Sequence, residues 1–297
     1  MSGNGGRAER RGEAVPIDRR TVLAMGGGGF TMGERSVALD RFALELASVP
    51  MPRVCFLPTA SGDPREQVTR FYDRFGEWPC EPSILSLFHL ARDRVDPVAH
   101  LLAQDVIYVG GGSMRNMLAI WREHSIDVAM RDAWASGTVL AGLSAGAMCW
   151  FEGGVSKSGG MPEAVHGIGL LSGSLSVHMD SEPERLPVYC DAVSGGRLPA
   201  GFAADDGAGL VFGGLALREC VASRPGARVL RVTADASGGG GGGAGGAGAE
   251  AGVSCSPMPV RVLPGASGGV DGAVGSLEAH GVAELRELRA GPRRRWD

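Results

Sequence analysis

The sequence predicts an α/β fold built on a doubly wound, mostly parallel sheet. Short apolar runs alternate with amphipathic stretches, and each of the clearest runs ends in Gly, Pro or Ser. This order of strand then helix is typical of a sheet with helices on both faces. Because such sheets bind ligands beyond the carboxyl ends of their strands, we expect functional residues just after the apolar runs.

The predicted elements follow one another along the first half of the chain. Buried parallel strands are predicted at Thr21–Met25, Arg53–Leu57, Val106–Val109 and Thr138–Ala141. Crossover helices are predicted at Ser36–Ala47, Arg65–Phe75, Met114–Glu123 and Ile126–Ser136. Further on, Arg228–Val232 and Pro259–Leu263 are strand-like, and we expect them to form an expanded hairpin.

Composition predicts the limits of the folded part. Residues 1–17 carry little that could be buried and are expected to form a disordered tail. A single domain is expected over residues 18–290, interrupted by a Gly- and Ala-rich flexible loop at 237–252. Residues 291–297 form a basic tail.

Charge and apolar content narrow the range of partners. The chain has 297 residues, 44% hydrophobic content and a formal net charge of −4. That charge gives no general attraction for nucleic acid or an anionic membrane, so a small peptide substrate fits better. No apolar run approaches the roughly 18 residues needed to span a bilayer, and we expect a cytoplasmic protein. A homodimer is a possible assembly.

Cysteine and histidine spacing predicts neither metal nor organic cofactor. The six cysteines are scattered without a CxxC pair, so they are expected to be reduced and mostly buried. No convergent set of His, Cys and carboxylate residues has the spacing of a metal site.

Ser144 is the candidate nucleophile. Gly142–Gly146 matches the pattern G-x-S-x-G, in which small residues permit a tight turn that presents a serine above a sheet. A second match, Gly265–Gly269, lies among Pro, Gly and Ala with no helix after it, and Ser267 is expected to be a loop serine. Ser144 follows a predicted strand and precedes a plausible helix, although an ordinary strand-to-helix turn would have the same pattern.

Two glycine clusters follow predicted strands. Gly110–Gly112 would let backbone N–H groups approach a ligand, as an oxyanion hole requires, although a phosphate-binding or merely tight turn is the alternative. Gly26–Gly29 lacks the spacing of a dinucleotide-binding loop and is expected to form a pocket wall.

His178 is the candidate base. A serine hydroxyl needs a base at neutral pH, and the pKa of histidine suits that role. His178 ends a short apolar run and begins a polar turn, whereas His100, His124 and His280 lie on or beside helices expected to be exposed.

Taken together, several segments resemble the peptidase E-like (S51-type) serine peptidases, which share the class I glutamine amidotransferase-like, flavodoxin-like three-layer fold. They occur in family order over roughly residues 20–235, which makes the set specific. The matching segments are Phe56–Ala60, Tyr108–Gly112, Gly142–Ala147, Cys149–Glu152, Ser176–Arg185 and Gly201–Gly207.

The resemblance implies a hydrolase of short peptides, in some members aspartyl dipeptides. Ser144 would be the nucleophile and His178 the base, while the amides of Ala145 and of Gly111 or Gly112 would hold the oxyanion. Arg185 is expected to bind a substrate carboxylate. A surface salt bridge of Arg185 with Glu182 or Glu184 is the alternative reading.

One departure from the family concerns the acid that orients the histidine. Lys157 stands where relatives have an acidic residue, and a lysine cannot accept the imidazole N–H. Glu152 is the preferred replacement, with Glu163 as the other nearby candidate. Asp180 is disfavoured because it is almost adjacent to His178, and the pair Asp205–Asp206 is expected to shape a strand turn.

Two other functions stay open from the sequence. Loss of the acid would leave a degenerate member that binds a peptide or amino acid without cleaving it. An α/β-hydrolase-type esterase would instead bring His280 beside Ser144, although that fold places its histidine after the acid and near the carboxyl terminus.

Overall fold

The protein is described by a computed structural model covering residues 14–32, 37–235 and 252–265. The helices are α1 (Ala38–Glu45), α2 (Arg65–Phe75), α3 (Leu90–Asp93), α4 (Pro97–Leu102), α5 (Met114–Glu123), α6 (Ile126–Ala135), α7 (Ala145–Met148) and α8 (Arg185–Ser194). None of these described helices is long and apolar enough to cross a membrane.

The strands follow the same chain order. They are β1 (Thr21–Met25), β2 (Arg53–Leu57), β3 (Glu81–Ile84), β4 (Val106–Val109), β5 (Val139–Leu143), β6 (Phe151–Ser156), β7 (Glu163–His166), β8 (Leu171–Ser176), β9 (Gly201–Ala204), β10 (Ala208–Gly213), β11 (Ala216–Ala222), β12 (Val229–Ala234), β13 (Val253–Pro257) and β14 (Val260–Val262).

An eight-stranded sheet forms the larger part of the fold, in the order β14-β11-β10-β1-β5-β4-β2-β3. The five strands β1-β5-β4-β2-β3, which run to one edge of the sheet, are parallel, while β10 pairs antiparallel with both β1 and β11. Every residue of β4 and β5 is buried, because helices cover both faces of a parallel sheet. The predicted α/β class and its parallel sheet are confirmed.

A second sheet of six strands has the order β13-β12-β9-β8-β6-β7. The predicted hairpin partners are wrong: β12 pairs with β13, while β14 joins the larger sheet beside β11. β13 is an exposed edge strand containing Ser254 and Ser256, so it lacked the apolar pattern that identifies a buried strand.

Two of the places where the chain crosses between the sheets are short links that lie close to the candidate site. α7 connects β5 of the larger sheet to β6 of the smaller one, and residues 205–207 connect β9 back to β10. Aromatic contacts hold the sheets together: the ring of Phe212 packs edge-on against Phe151 and Phe202, at centroid distances of 5.6 and 6.2 Å. Burying each such ring stabilises the fold by roughly 1.5–3 kcal/mol.

Local signals explain where several helices begin. Ser113 accepts the N–H of Asn116 at 3.2 Å and caps α5, and Asp96 accepts the N–H of Ala99 at 3.0 Å and caps α4. Pro97, at the first position of α4, needs no hydrogen-bond partner for a backbone N–H.

The predicted limits of the folded part stay a prediction. Of the tail predicted over residues 1–17, the structure describes residues 14–17, where the N–H of Val15 donates to the carbonyl of Ala135 at 2.9 Å, at the end of α6. Residues 1–13, the stretch 236–251 that holds most of the predicted Gly/Ala loop, and residues 266–297 with the basic tail lie outside the described residues.

Candidate active site

Ser144 lies on a strained turn between β5 and α7. Its backbone has φ 54° and ψ −116°, a conformation that L-residues rarely adopt. The N–H of Ser144 donates to the carbonyl of Met25 at 3.0 Å and holds the turn in place. The strain therefore coincides with the predicted nucleophile.

The two glycines of the G-x-S-x-G pattern make this turn sterically feasible. A Cβ on Gly142 would lie 2.1 Å from the carbonyl oxygen of Gly146, and one on Gly146 would lie 2.4 Å from that of Val109. Both distances are far below a van der Waals contact, so the strand, turn and helix can approach this closely only with glycine at both positions.

His178 stands beside Ser144. It lies two residues after the end of β8, is 8% exposed, and places Nε2 2.8 Å from Ser144 Oγ. Its backbone also has a positive φ, 60°, and the turn after it closes when the N–H of Glu182 donates to the His178 carbonyl at 2.7 Å. The two residues are 34 positions apart in the chain and come from different sheets.

Asp206 is the carboxylate on the other ring nitrogen. Its Oδ1 lies 2.5 Å from His178 Nδ1, and its Oδ2 accepts the hydroxyl of Ser181 at 2.6 Å. With Nδ1–H donating to Asp206, Nε2 of the neutral ring carries the lone pair that faces Ser144. Ser144, His178 and Asp206 therefore form a continuous hydrogen-bonded chain.

The Asp206 backbone is fixed by a second ion pair. Its N–H donates to Asp180 Oδ1 at 2.8 Å, and its carbonyl accepts Arg224 Nε at 3.1 Å. Arg224 in turn pairs with Asp180. Asp180, predicted to be too close in sequence to act on the histidine, instead positions the acid.

Electrostatics favour the charged form of Asp206. Burial alone would raise the pKa of its carboxyl group, but the hydrogen bond and charge of His178, the Ser181 hydroxyl and Arg224 outweigh burial. The pKa of Asp206 consequently lies below its ordinary value. A carboxylate in this position accepts the imidazole N–H and stabilises imidazolium when it forms.

The backbone amides of Gly111 and Ala145 border the serine, and Gly112 follows Gly111 in the chain. Gly111 is so close that an added Cβ would lie 3.1 Å from Ser144 Cβ, and Gly112 has φ +136°, which favours glycine. Among the described residues, no hydrogen bond uses the N–H groups of Gly111, Gly112 or Ala145. These amides are therefore free to donate to an oxyanion formed at Ser144.

The wall expected from Gly26–Gly29 lies behind the His178–Asp206 pair. A Cβ on Gly27 would lie 2.1 Å from Asp206 Oδ1 and 2.6 Å from His178 Cε1. The carbonyl of Gly27 also accepts the N–H of Gly207 at 3.0 Å. Glycine at position 27 leaves space for the imidazole and carboxylate to meet.

The prediction that Glu152 orients the histidine is wrong. Glu152 is an exposed residue of β6 whose Oε1 accepts the N–H of Gly173 at 3.1 Å. The alternative Glu163 pairs with Arg115 at 2.8 Å. The pair Asp205–Asp206 was expected to shape a strand turn, and Asp205 does so by accepting Arg228 Nε at 2.9 Å. Its neighbour Asp206 instead faces the imidazole of His178.

The prediction that Arg185 binds a substrate carboxylate is not supported by its contacts. Its side chain is 7% exposed, Nε donates to Glu182 at 2.9 Å, and Nη1 donates to the carbonyl of Val155 at 2.8 Å. The alternative pairing with Glu182 is present; it is half-buried and lies at the start of α8.

Lys157 does not occupy the position of the acid. Its ammonium group pairs with Glu182 and Glu184, on the turn that follows His178. The lysine at position 157 therefore does not deprive His178 of a carboxylate, because Asp206 contacts its Nδ1.

Of the alternative assignments, His280 and Ser267 lie outside the described residues. The histidine beside Ser144 is His178. Within the described part of the chain, no group of three or more His, Cys, Asp or Glu residues is arranged to hold a metal ion.

A serine, a histidine and a carboxylate joined in this order form the arrangement used by serine hydrolases, on a strand-to-helix turn of an α/β fold. Comparison with known proteins identifies the family. The model of Peptidase family S51 matches residues 22–219. The chain belongs to this family.

A similar protein agrees with that membership, and a similar solved structure agrees with the fold. The uncharacterized peptidase YgaJ of Bacillus subtilis (strain 168) is 46% identical over 213 residues, which cover 72% of this chain and 92% of that protein. The crystal structure of a peptidase from an acI-B1 Actinobacterium aligns with a TM-score of 0.51 at 18% identity, over 71% of this chain and 89% of that one. The class I glutamine amidotransferase-like fold is confirmed, and family membership supports a serine-type peptidase.

Proposed function

We propose that the protein hydrolyses short peptides through a covalent acyl-enzyme formed on Ser144, with His178 as general base and acid and Asp206 as the residue that orients it. The observation that carries the proposal is the hydrogen-bonded chain from Ser144 Oγ to His178 Nε2, at 2.8 Å, and from His178 Nδ1 to Asp206 Oδ1, at 2.5 Å. Both distances are within the reach needed for proton transfer.

In the first half of the reaction, Ser144 Oγ attacks the carbonyl carbon of the scissile peptide while Nε2 accepts the hydroxyl proton. The carbonyl oxygen becomes an oxyanion that accepts hydrogen bonds from the amides of Ala145 and of Gly111 or Gly112. His178, now imidazolium, donates its proton to the nitrogen of the leaving amine. The C–N bond breaks and an ester to Ser144 is left.

The second half repeats these steps with water. His178 removes a proton from a water molecule, whose oxygen attacks the ester carbonyl. Collapse of the intermediate returns the proton to Ser144 Oγ and releases the carboxylate product. Throughout, Asp206 stays ionised, in agreement with its lowered pKa.

The test is the Ser144→Ala variant assayed on a panel of dipeptides. We expect loss of nearly all turnover, by roughly 10⁴-fold or more, with an unchanged melting temperature. Ser136→Ala, at an exposed serine whose hydroxyl bonds the Asp132 carbonyl, is the matched control and should keep full activity. A Ser144→Ala variant as active as the parent would exclude the proposal.

Aspartyl dipeptides are the finer part of the proposal, supported by the motif resemblance alone, because Arg185 is committed to Glu182 and Val155. Comparing Asp-Leu with its neutral isostere Asn-Leu isolates the contribution of the substrate carboxylate. We expect a kcat/KM at least tenfold higher for Asp-Leu; equal values would remove the aspartyl preference and leave the peptidase proposal intact.

A cytoplasmic setting fits the free thiols of all six cysteines.

A non-cleaving peptide-binding protein is the second candidate. This candidate was based on the lysine at position 157, where the family has an acid. Asp206 weakens that argument because its carboxylate contacts the imidazole of His178. A fluorophosphonate probe separates the two candidates, because only an activated serine is labelled. Labelling at Ser144 favours the enzyme, and absence of labelling with intact peptide affinity favours the binder.

A further inference from the structure

Cys190 and Cys255 form a close pair of thiols outside the candidate active site. They are 65 residues apart in the chain, yet their sulfur atoms are 3.6 Å from each other. The other cysteines, Cys55, Cys80, Cys149 and Cys220, are buried, whereas Cys255 is exposed and Cys190 is half-buried. The pair is therefore the part of the cysteine set that solvent and small oxidants reach.

The two thiols join two separate elements. Cys190 lies on α8 and Cys255 on β13, the exposed edge strand of the smaller sheet, and α8 packs against β12 and β13. Closing the gap from 3.6 Å to the roughly 2.05 Å of a disulfide needs only about 1.5 Å of sulfur movement, which side-chain rotation can supply.

From this geometry we infer that Cys190 and Cys255 are a redox-sensitive dithiol, which a peroxide converts to an intramolecular disulfide that locks α8 onto the β12–β13 hairpin. Disulfides in reducing compartments are usually transient and redox-sensing, so a reversible bond at an exposed edge fits better than a permanent one.

The reaction takes two balanced steps. The sulfur of exposed Cys255 attacks one peroxide oxygen, giving Cys255 sulfenic acid and, from hydrogen peroxide, one water. The sulfur of Cys190 then displaces the hydroxyl group, which leaves as a second water with the thiol proton. The two thiols together lose two protons and two electrons, and the peroxide is reduced to two molecules of water. Burial, followed by the neighbouring Cys255, raises the pKa of Cys190 to about 11, so little Cys190 thiolate is present at neutral pH and Cys190 is disfavoured as the thiol that attacks the peroxide.

The lock would act close to the candidate active site. α8 begins at Arg185, directly after the turn that His178 starts, and Tyr189, Ala192 and Val193 of α8 share one apolar cluster with Met179. Tethering α8 to the hairpin therefore stiffens the element on which the His178 turn rests.

The experiment treats the full chain with stoichiometric hydrogen peroxide and maps its peptides without reduction. We expect one crosslinked peptide containing Cys190 and Cys255, a loss of two hydrogens per chain, and reversal by dithiothreitol. The oxidised protein should melt several degrees higher than the reduced protein. The four buried cysteines are internal controls and should stay unmodified.

Two variants make the result decisive. In Cys190→Ser, Cys255 has no resolving thiol, so dimedone should trap it as a sulfenic acid, whereas Cys255→Ser should give no adduct at position 190. The double variant Cys190→Ser/Cys255→Ser should show no change in melting temperature with peroxide. Absence of the crosslink, a disulfide between chains, or a crosslink that leaves the melting temperature unchanged would overturn the inference.

Discussion

The two sheets contribute to the candidate site in different ways. The eight-stranded sheet supplies Ser144 from a strand end whose geometry depends on Gly142 and Gly146, each two residues away. The six-stranded sheet supplies His178, and Asp206 lies 28 residues further on, in the link that returns to the larger sheet. The serine turn is thus determined locally, whereas the positions of His178 and Asp206 beside it depend on how one sheet packs on the other.

The largest effect that tests this difference is expected at His178. Replacing it with alanine should lower kcat/KM for dipeptides by roughly 10⁴- to 10⁶-fold, because Ser144 loses its proton acceptor. His166→Ala, at an exposed position on β7, is the matched control and should stay within about twofold of the parent. Comparable losses of kcat/KM in both variants would show that activity depends on the integrity of the smaller sheet and not on the imidazole of His178.

Gly27→Ala should have the next largest effect. The new methyl group would lie 2.1 Å from Asp206 Oδ1, so the acid or the imidazole must move, and we expect a 10- to 1,000-fold loss of kcat. Gly209→Ala crowds the neighbouring strand β10, 3.2 Å from Leu39, without touching the candidate site. It should lower the melting temperature while retaining kcat, which separates core crowding from displacement of the acid.

The sequence predicted the nucleophile side of this comparison well. Strands β1, β2 and β4 were predicted with the observed bounds, because a parallel strand buried on both faces is a continuous apolar run. Ser144 and His178 followed from motifs at strand ends. The hydrogen bond between Ser144 and His178 is seen in the structure, whereas the sequence pattern does not show it.

The carboxylate beside His178 could not be predicted from the sequence, because the contact depends on how the side chain is oriented. Asp205 and Asp206 are adjacent and chemically identical, yet one carboxylate pairs with Arg228 and the other with His178. The crossover between sheets aims consecutive side chains in different directions, and no residue pattern reports that direction. The one available signal was the Gly201–Gly207 segment of the family resemblance, which contains Asp206.

A smaller effect is expected at Arg185, where substitution should lower stability and leave activity almost unchanged. Arg185→Met keeps much of the side-chain volume but removes the bonds to Glu182 and Val155, so the free energy of unfolding in urea should fall by about 1–3 kcal/mol. KM for dipeptides should change by less than about twofold. A KM increase of tenfold or more with unchanged stability would restore Arg185 as a substrate-binding residue.

The smallest effect is the pH dependence of stability that Asp206 contributes. Its pKa is lower in the folded protein than the roughly 3.9 of an unfolded chain, so it stabilises the fold above that pH. The contribution is lost as the pH falls through the folded value. The difference in unfolding free energy between the parent and Asp206→Asn should be constant above about pH 5 and shrink below about pH 4. A constant difference down to pH 2.5 would contradict the lowered pKa.

The most direct test of the account is the rate at which a fluorophosphonate labels Ser144 in the parent, Asp206→Asn and Glu152→Gln. If the carboxylate in the crossover orients His178, Asp206→Asn should label about 10³- to 10⁴-fold more slowly, and Glu152→Gln should label at the parental rate. A parental rate in Asp206→Asn, or an equal loss in Glu152→Gln, would contradict the assignment of Asp206 as the acid.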